Sequence, residues 1–181
     1  MKSQRHIRKP VIEQFESRNL LSVGVTGLHA PAAVSAQPIQ LIVPLNGSFD
    51  GQFTKTEKNP DIGATYSFSG TGKVQRIGDF SVNGTIHTIG FIQFGPVRGT
   101  FVLRNAVGSI TVQFTATGKG FGLPVHYKYK ITHGTGMYTN AIDHGTATLT
   151  TTYATSSGPT FGVQHGQFNL VMKSAFPEPV A

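Results

Sequence analysis

From Leu45 to Lys173 the chain is a nearly unbroken series of short apolar/polar alternations punctuated by glycine, with no stretch of helical periodicity. In the first unit Leu45, Phe49 and Phe53 fall on one side of an extended chain, while Asn46, Ser48, Asp50, Gln52 and Thr54 fall on the other. Successive side chains of a strand point to opposite faces, so this is the pattern of a sheet with one dry face and one wet face. Repeated along the chain, it specifies an all-β domain whose dry faces meet inside. Strands are predicted near 45–54, 64–75, 79–89, 98–104, 108–117, 124–132, 145–154 and 163–173. Turn signals separate them: Asn59-Pro60-Asp61, Ile77-Gly78, Gly95-Pro96, Gly118–Pro124, Gly134–Asn140 and Ser156–Pro159. About eight strands at this spacing fit a small antiparallel β-barrel, in which closure removes the edges that would otherwise pair with a neighbour.

Thirteen Phe and five Tyr supply the bulk of the core that this pattern requires. The predicted dry face includes Phe49, Phe68, Phe101, Phe114, Ile131 and Phe168. Gly47, Gly51, Gly70, Gly72 and Gly84 fall on the same face. Glycine there permits tight coiling of strands and leaves room for opposing aromatic rings. Charged residues make up only 13% of the chain, and Ser, Thr and Asn cover the wet faces instead. The net charge of +7 suggests nucleic acid until it is located. Lys2, Arg5, Arg8, Lys9 and Arg18 precede residue 20, offset only by Glu13 and Glu16, and the remaining positive charge is scattered, with Lys128 and Lys130 as one tight pair. A nucleic-acid footprint clusters on one face with stacking aromatics between the charges, so no nucleic-acid partner is expected. Cysteine is absent, which excludes a disulfide framework, a thiolate nucleophile and Cys-based metal sites. The longest apolar runs are far shorter than the roughly 18 residues of a membrane helix. The alternate faces carry Thr, Ser, Lys and Gln rather than apolar belts, so a soluble barrel without a transmembrane span is expected.

Residues 1–44 differ in kind from the rest and are expected to be an export leader and a Pro/Ala-rich linker, with a short strand at Ile39–Val43. The basic start, the weak apolar stretch Leu20–Leu28 and the small residues ending Ala33-Val34-Ser35-Ala36 are the parts of a secretory signal. The other reading is an amphipathic helix, Val11 to Leu21, folded onto the domain. The barrel domain is placed at 45–173 and a tail at 174–181. The run Ile12-Glu13-Gln14-Phe15-Glu16-Ser17-Arg18-Asn19-Leu20-Leu21 resembles the LEPR-XLL motif at the N-terminus of many bacterial secreted and surface proteins. Glu13, Glu16, Arg18, Leu20 and Leu21 match it, and the resemblance implies export without implying an activity.

A second resemblance lies at 133–149. Gly134, Thr135, Gly136, Tyr138, Ala141, Gly145 and Leu149 are similar to a hairpin of bacterial DUF3224-like proteins and their allene-oxide-cyclase-like and dirigent-like barrel relatives. It implies a short helical turn between two barrel strands, with the aromatic capping one barrel end. Those enzymes place acidic, basic or cysteine side chains in the barrel mouth. This chain has no cysteine and shows no acid on a predicted dry face, so no catalytic residue is carried over.

Chemistry has few footholds. His133 and His144 flank one connection with Asp143 beside them, and two nitrogens and a carboxylate could hold Zn²⁺. Solvated turn positions are the simpler reading, and no metal or other cofactor is expected. Asp50, Glu57, Asp61, Asp79 and Asp143 all fall on wet positions or in turns. General acid–base work needs a group held in a cleft where burial tunes its pKa. The interior offers Tyr66, Tyr127 and Tyr129 as its obvious ionisable groups. Glycine-rich bits such as Gly70-Thr71-Gly72-Lys73 lack the following helix that a phosphate loop requires. The Thr-dense segment 146–152 reads as a wet strand face rather than a sugar- or ice-binding array.

The expected protein is therefore an exported β-barrel acting as a binding or envelope-associated structural module. Its expected partner is a small apolar ligand or a cell-envelope component. Candidate ligand contacts are Tyr138, Tyr66, Tyr127 and Tyr129, joined by the loop residues His133, Asn140, Asp143 and His144. The alternative is a barrel isomerase or cyclase acting on an apolar small molecule through Tyr66, Tyr127 or Tyr129. A filled interior favours the first; an open cavity of some 300 Å³ with convergent polar groups favours the second.

Overall fold

The computed structural model describes residues 39–59, 63–88, 93–120, 122–154 and 162–177. The leader, the alternative N-terminal helix, and the turns at Pro60-Asp61 and Ser156–Pro159 lie outside the described residues. Ten strands are present: β1 Leu41–Ile42, β2 Gly47–Asn59, β3 Gly63–Val74, β4 Gly78–His87, β5 Gln93–Asn105, β6 Gly108–Gly120, β7 His126–Gly136, β8 Ala141–Ile142, β9 His144–Tyr153 and β10 Gly162–Ser174. Eight of them close into an antiparallel barrel in the order β10-β2-β3-β4-β5-β6-β7-β9. The chain runs as a meander from β2 to β7, crosses one barrel end through β8, and returns in β9 and β10. The seam is closed by β10 against β2, from Gly162 opposite Glu57 to Met172 opposite Gly47.

Each of the eight predicted strands is found, and the two-residue β1 lies where a short strand was expected, pairing in parallel with β8. The largest boundary corrections are at β2, which ends five residues after the predicted Thr54, and at β5, which begins five residues before the predicted Arg98 and includes the Gly95-Pro96 pair expected to turn. Proline is tolerated in a strand when its missing N–H faces no partner. Pro96 lies opposite Thr117 on β6, and the last pair described between β4 and β5 is His87 opposite Arg98. The other correction concerns the connection after β7. Residues 137–140 are turns followed by β8, and no helix is present among the described residues.

Inward residues alternate as the sequence requires, and Phe49, Phe68, Phe101, Phe114 and Phe168 are buried. Ile131 is only partly buried. A bulge in β7 explains it: Ile131 pairs with Val112 but His133 with Thr111, so Thr132 is an extra residue that shifts the alternation. Aromatic rings fill the interior from strands that are not neighbours. The Phe68 ring centroid lies 5.3 Å from that of Phe101 and 5.3 Å from that of Phe168, and Phe101 lies 4.8 Å from Phe114 on its neighbouring strand β6. Two glycines make this possible. A Cβ on Gly84 would collide with the Phe101 ring, and one on Gly166 with the Phe53 ring. Burying each such ring stabilises the barrel by about 1.5–3 kcal/mol.

Candidate functional site

The end of the barrel formed by the starts of β2 and β9 and the ends of β7 and β10 carries a buried acid. Asp143 is 4% exposed, so it is not the wet turn residue the sequence suggested. One carboxylate oxygen accepts from Leu45 N and from Tyr129 Oη, each at 2.7 Å. The other accepts from Ser174 Oγ at 2.6 Å and from its neighbour His144 N at 2.8 Å. Four donors from the β2 entry, β7, β9 and β10 satisfy a charge that burial would otherwise penalise by several kcal/mol. The arrangement is a latch that fastens the barrel end. No proton acceptor capacity is left pointing at an open space. Sequence alternation could not reveal it, because its partners are 98, 14 and 31 residues away.

The neighbouring loop candidates are placed by the same connection. Tyr138 is 6% exposed and caps this end, its ring 5.8 Å from Phe80 and its hydroxyl accepting from Asn105 Nδ2 at 2.7 Å. Asn140 adopts φ +63°, the left-handed conformation that Asn tolerates, and its carbonyl accepts from Leu41 N at 3.0 Å. It therefore turns the chain into the β1–β8 pairing. His133 and His144 are both exposed. The His144 ring stands edge-on to Phe176 at 5.0 Å. Their imidazoles do not join the Asp143 carboxylate, and among the described residues no three His, Cys, Asp or Glu side chains come together.

Of the three interior tyrosines, Tyr127 and Tyr129 both pack against Phe114. Tyr66 lies toward the opposite end, where Tyr153 Oη donates to its hydroxyl at 3.4 Å. Tyr129 belongs to the Asp143 latch. Burial pushes its phenol far above the ordinary range, and the hydrogen bond to Asp143 adds to the rise, partly opposed by Ser174. Tyr127 is 2% exposed, and burial alone raises its phenol strongly. Its hydroxyl has no hydrogen-bonding partner among the described residues. Phenols shifted this way stay protonated at neutral pH and cannot serve as phenolate bases.

Tyr127 also lies at a gap in the wall. Pairing of β6 with β7 stops at Thr115 opposite Lys128, and beyond it the two strands diverge. The result is an open cleft of about 730 Å³, with Arg98, Thr115, His126, Lys128 and Thr146 around it. Its floor is made by Val97, Tyr127 and Ala147, each 2% exposed. A smaller groove of about 470 Å³ adjoins it, sharing Arg98, Thr115 and Lys128 and adding Gln113 and Lys130. The sequence suggested scattered charge. Strand order gathers it instead: β5, β6, β7 and β9 are contiguous in the wall and contain no Asp or Glu.

The molecule is thus a closed eight-stranded antiparallel β-barrel with an aromatic-filled interior, a latched end and a basic wall. Among known proteins, no family model matches the chain, and neither a curated protein nor a solved structure does.

Proposed function

We propose that this chain is an exported, non-enzymatic β-barrel of the allene-oxide-cyclase-like, DUF3224-like kind, acting as a binding or envelope-associated structural module. The observation that carries the proposal is the interior. Phe68 meets Phe101 and Phe168 from strands two places away on either side, and glycines on the wall have given up their side-chain space to those rings. An enzyme of the cyclase or isomerase kind needs a cavity with convergent polar groups. Here Tyr66 lies toward the opposite end from the Tyr129 hydroxyl, Asp143 is engaged by four donors, and burial makes the phenols of Tyr127 and Tyr129 resist ionisation. Export is supported by the resemblance of residues 12–21 to the LEPR-XLL motif. With the interior filled, the partner favoured is an envelope component met on the outer wall rather than a small apolar ligand held inside. Titration of the full chain with a small apolar fluorescent dye tests this. No saturable uptake is expected; stoichiometric uptake that responds to Tyr66→Phe or Tyr127→Phe would instead favour the barrel-enzyme alternative.

A further inference from the structure

The cleft and groove on the β5–β6–β7–β9 wall form one basic, hydroxyl-lined track, and its chemistry narrows the partner. Arg98 lies opposite Thr115, Thr115 opposite Lys128, and Lys128 opposite Thr146. Strands sit about 4.8 Å apart, so Arg98 and Lys128 originate about 10 Å from each other across the wall. Lys130 follows Lys128 on the same face about 7 Å along the strand. Arg98, Lys128 and Lys130 are all exposed. Their cross-strand neighbours are Thr, Gln or His, so register offers them no carboxylate. The described acids lie elsewhere: Asp50 and Glu57 are on β2, with Asp50 accepting from Asn169, Asp79 is the second residue of β4, and Asp143 is consumed by the latch.

We infer that this track binds an acidic polysaccharide, a sugar chain carrying carboxylate or sulfate groups. Cations spaced by threonine hydroxyls match a polymer whose charges are separated by neutral hydroxyl-bearing rings. A lipid tail finds no room, because the floor of the cleft is closed by side chains only 2% exposed. Single-stranded nucleic acid wants aromatic platforms between its charges. Among the described side chains of this wall, Phe101, Phe114, Tyr127 and Tyr129 face inward and are buried, leaving Tyr153 as a partly exposed ring, packed at 5.1 Å in a T-shaped pair with Phe53. The inference deepens the proposal of a binding module by naming its partner class, and it rests on that proposal.

The test uses the full chain against heparin as a sulfated probe and polygalacturonate as a carboxylated one, with neutral dextran and an oligodeoxythymidine as controls. Binding to at least one acidic polysaccharide is expected, weakening steadily with added salt as counterions compete. The double variant Arg98→Gln/Lys128→Gln should lose about tenfold or more in affinity. Lys73→Gln/Lys173→Gln, which removes the same charge from β3 and β10, should lose less than about twofold. Arg98→Lys/Lys128→Arg, which keeps the charge, should retain binding and confirms that folding is not at issue. Equal loss in the two Gln variants, equal binding of dextran, or tighter binding of the oligonucleotide through Arg98 and Lys128 would each overturn the inference. If neither acidic polysaccharide binds while the dye titration stays negative, the partner class is wrong and the non-enzymatic barrel stands.

Discussion

Tyr127 and Tyr129 stand two residues apart on one strand face, yet their hydroxyls have opposite consequences. The Tyr129 hydroxyl completes the Asp143 latch, whereas that of Tyr127 is buried without a described partner. Removing a donor from a buried acceptor exposes the cost of the unsatisfied group, so Tyr129→Phe should destabilise by about 1–3 kcal/mol. Tyr127→Phe removes an unsatisfied hydroxyl and should be neutral or stabilising by about 1 kcal/mol. Both phenols are raised in the folded state, while in the unfolded chain they ionise near pH 10. Above about pH 10 the unfolded state therefore binds fewer protons than the folded one. Stability from these groups is fully present below that pH and declines as pH rises further. Urea denaturation at neutral pH and near pH 10.5 reads both effects, and Tyr127→Phe should shallow the alkaline decline. A loss of stability in Tyr127→Phe matching that in Tyr129→Phe would mean that its hydroxyl is satisfied. The inward phase of both tyrosines was legible from alternation. Their different hydrogen bonding was not, because Leu45 and Ser174 reach Asp143 only once the barrel closes.

Strands were legible wherever alternation was clean and turn residues bounded it, as in β3 and β4. Turn-forming residue pairs can mislead. Gly95-Pro96 reads as a turn, but it is part of β5, with Gly95 opposite Gly118 and Pro96 opposite Thr117 on β6. The β7 bulge similarly shifts the alternation after Ile131, and nothing in the local sequence of β7 announces the extra residue. At the β1–β8 pair, Val43 is buried and its N–H donates to Ile142 O at 3.1 Å. Removing residues 1–36 should leave the melting temperature nearly unchanged while abolishing export in the native host. Extending the deletion through Pro44 removes the Val43 burial and should lower the melting temperature by at least about 4 °C. Unfolding after the shorter deletion would mean that the N-terminal segment stabilises the domain. No loss after the longer one would mean that β1 contributes nothing to it.

On the scale of the whole molecule, eight strands divide the labour between inside and outside. Inside, rings from β3, β5, β6 and β10 interlock over wall glycines. Outside, β5, β6, β7 and β9 assemble a wall without an acid, foreshadowed in the sequence by the absence of Asp and Glu from residues 80–142. The barrel itself was legible in the sequence because its period-2 pattern is local. The cross-strand register that sets Arg98, Thr115, Lys128 and Thr146 side by side was not, because pairing is fixed only when the barrel closes. The central claim is that the interior is filled, leaving recognition to the outer surface. Xenon is the direct probe, because it enters dry apolar cavities of sufficient size and needs no polar partner. Chemical-shift titration of the side chains of Phe68, Phe101, Phe114 and Phe168 under xenon pressure should show no saturable response. A saturable shift centred on those rings would establish an internal cavity and contradict the claim.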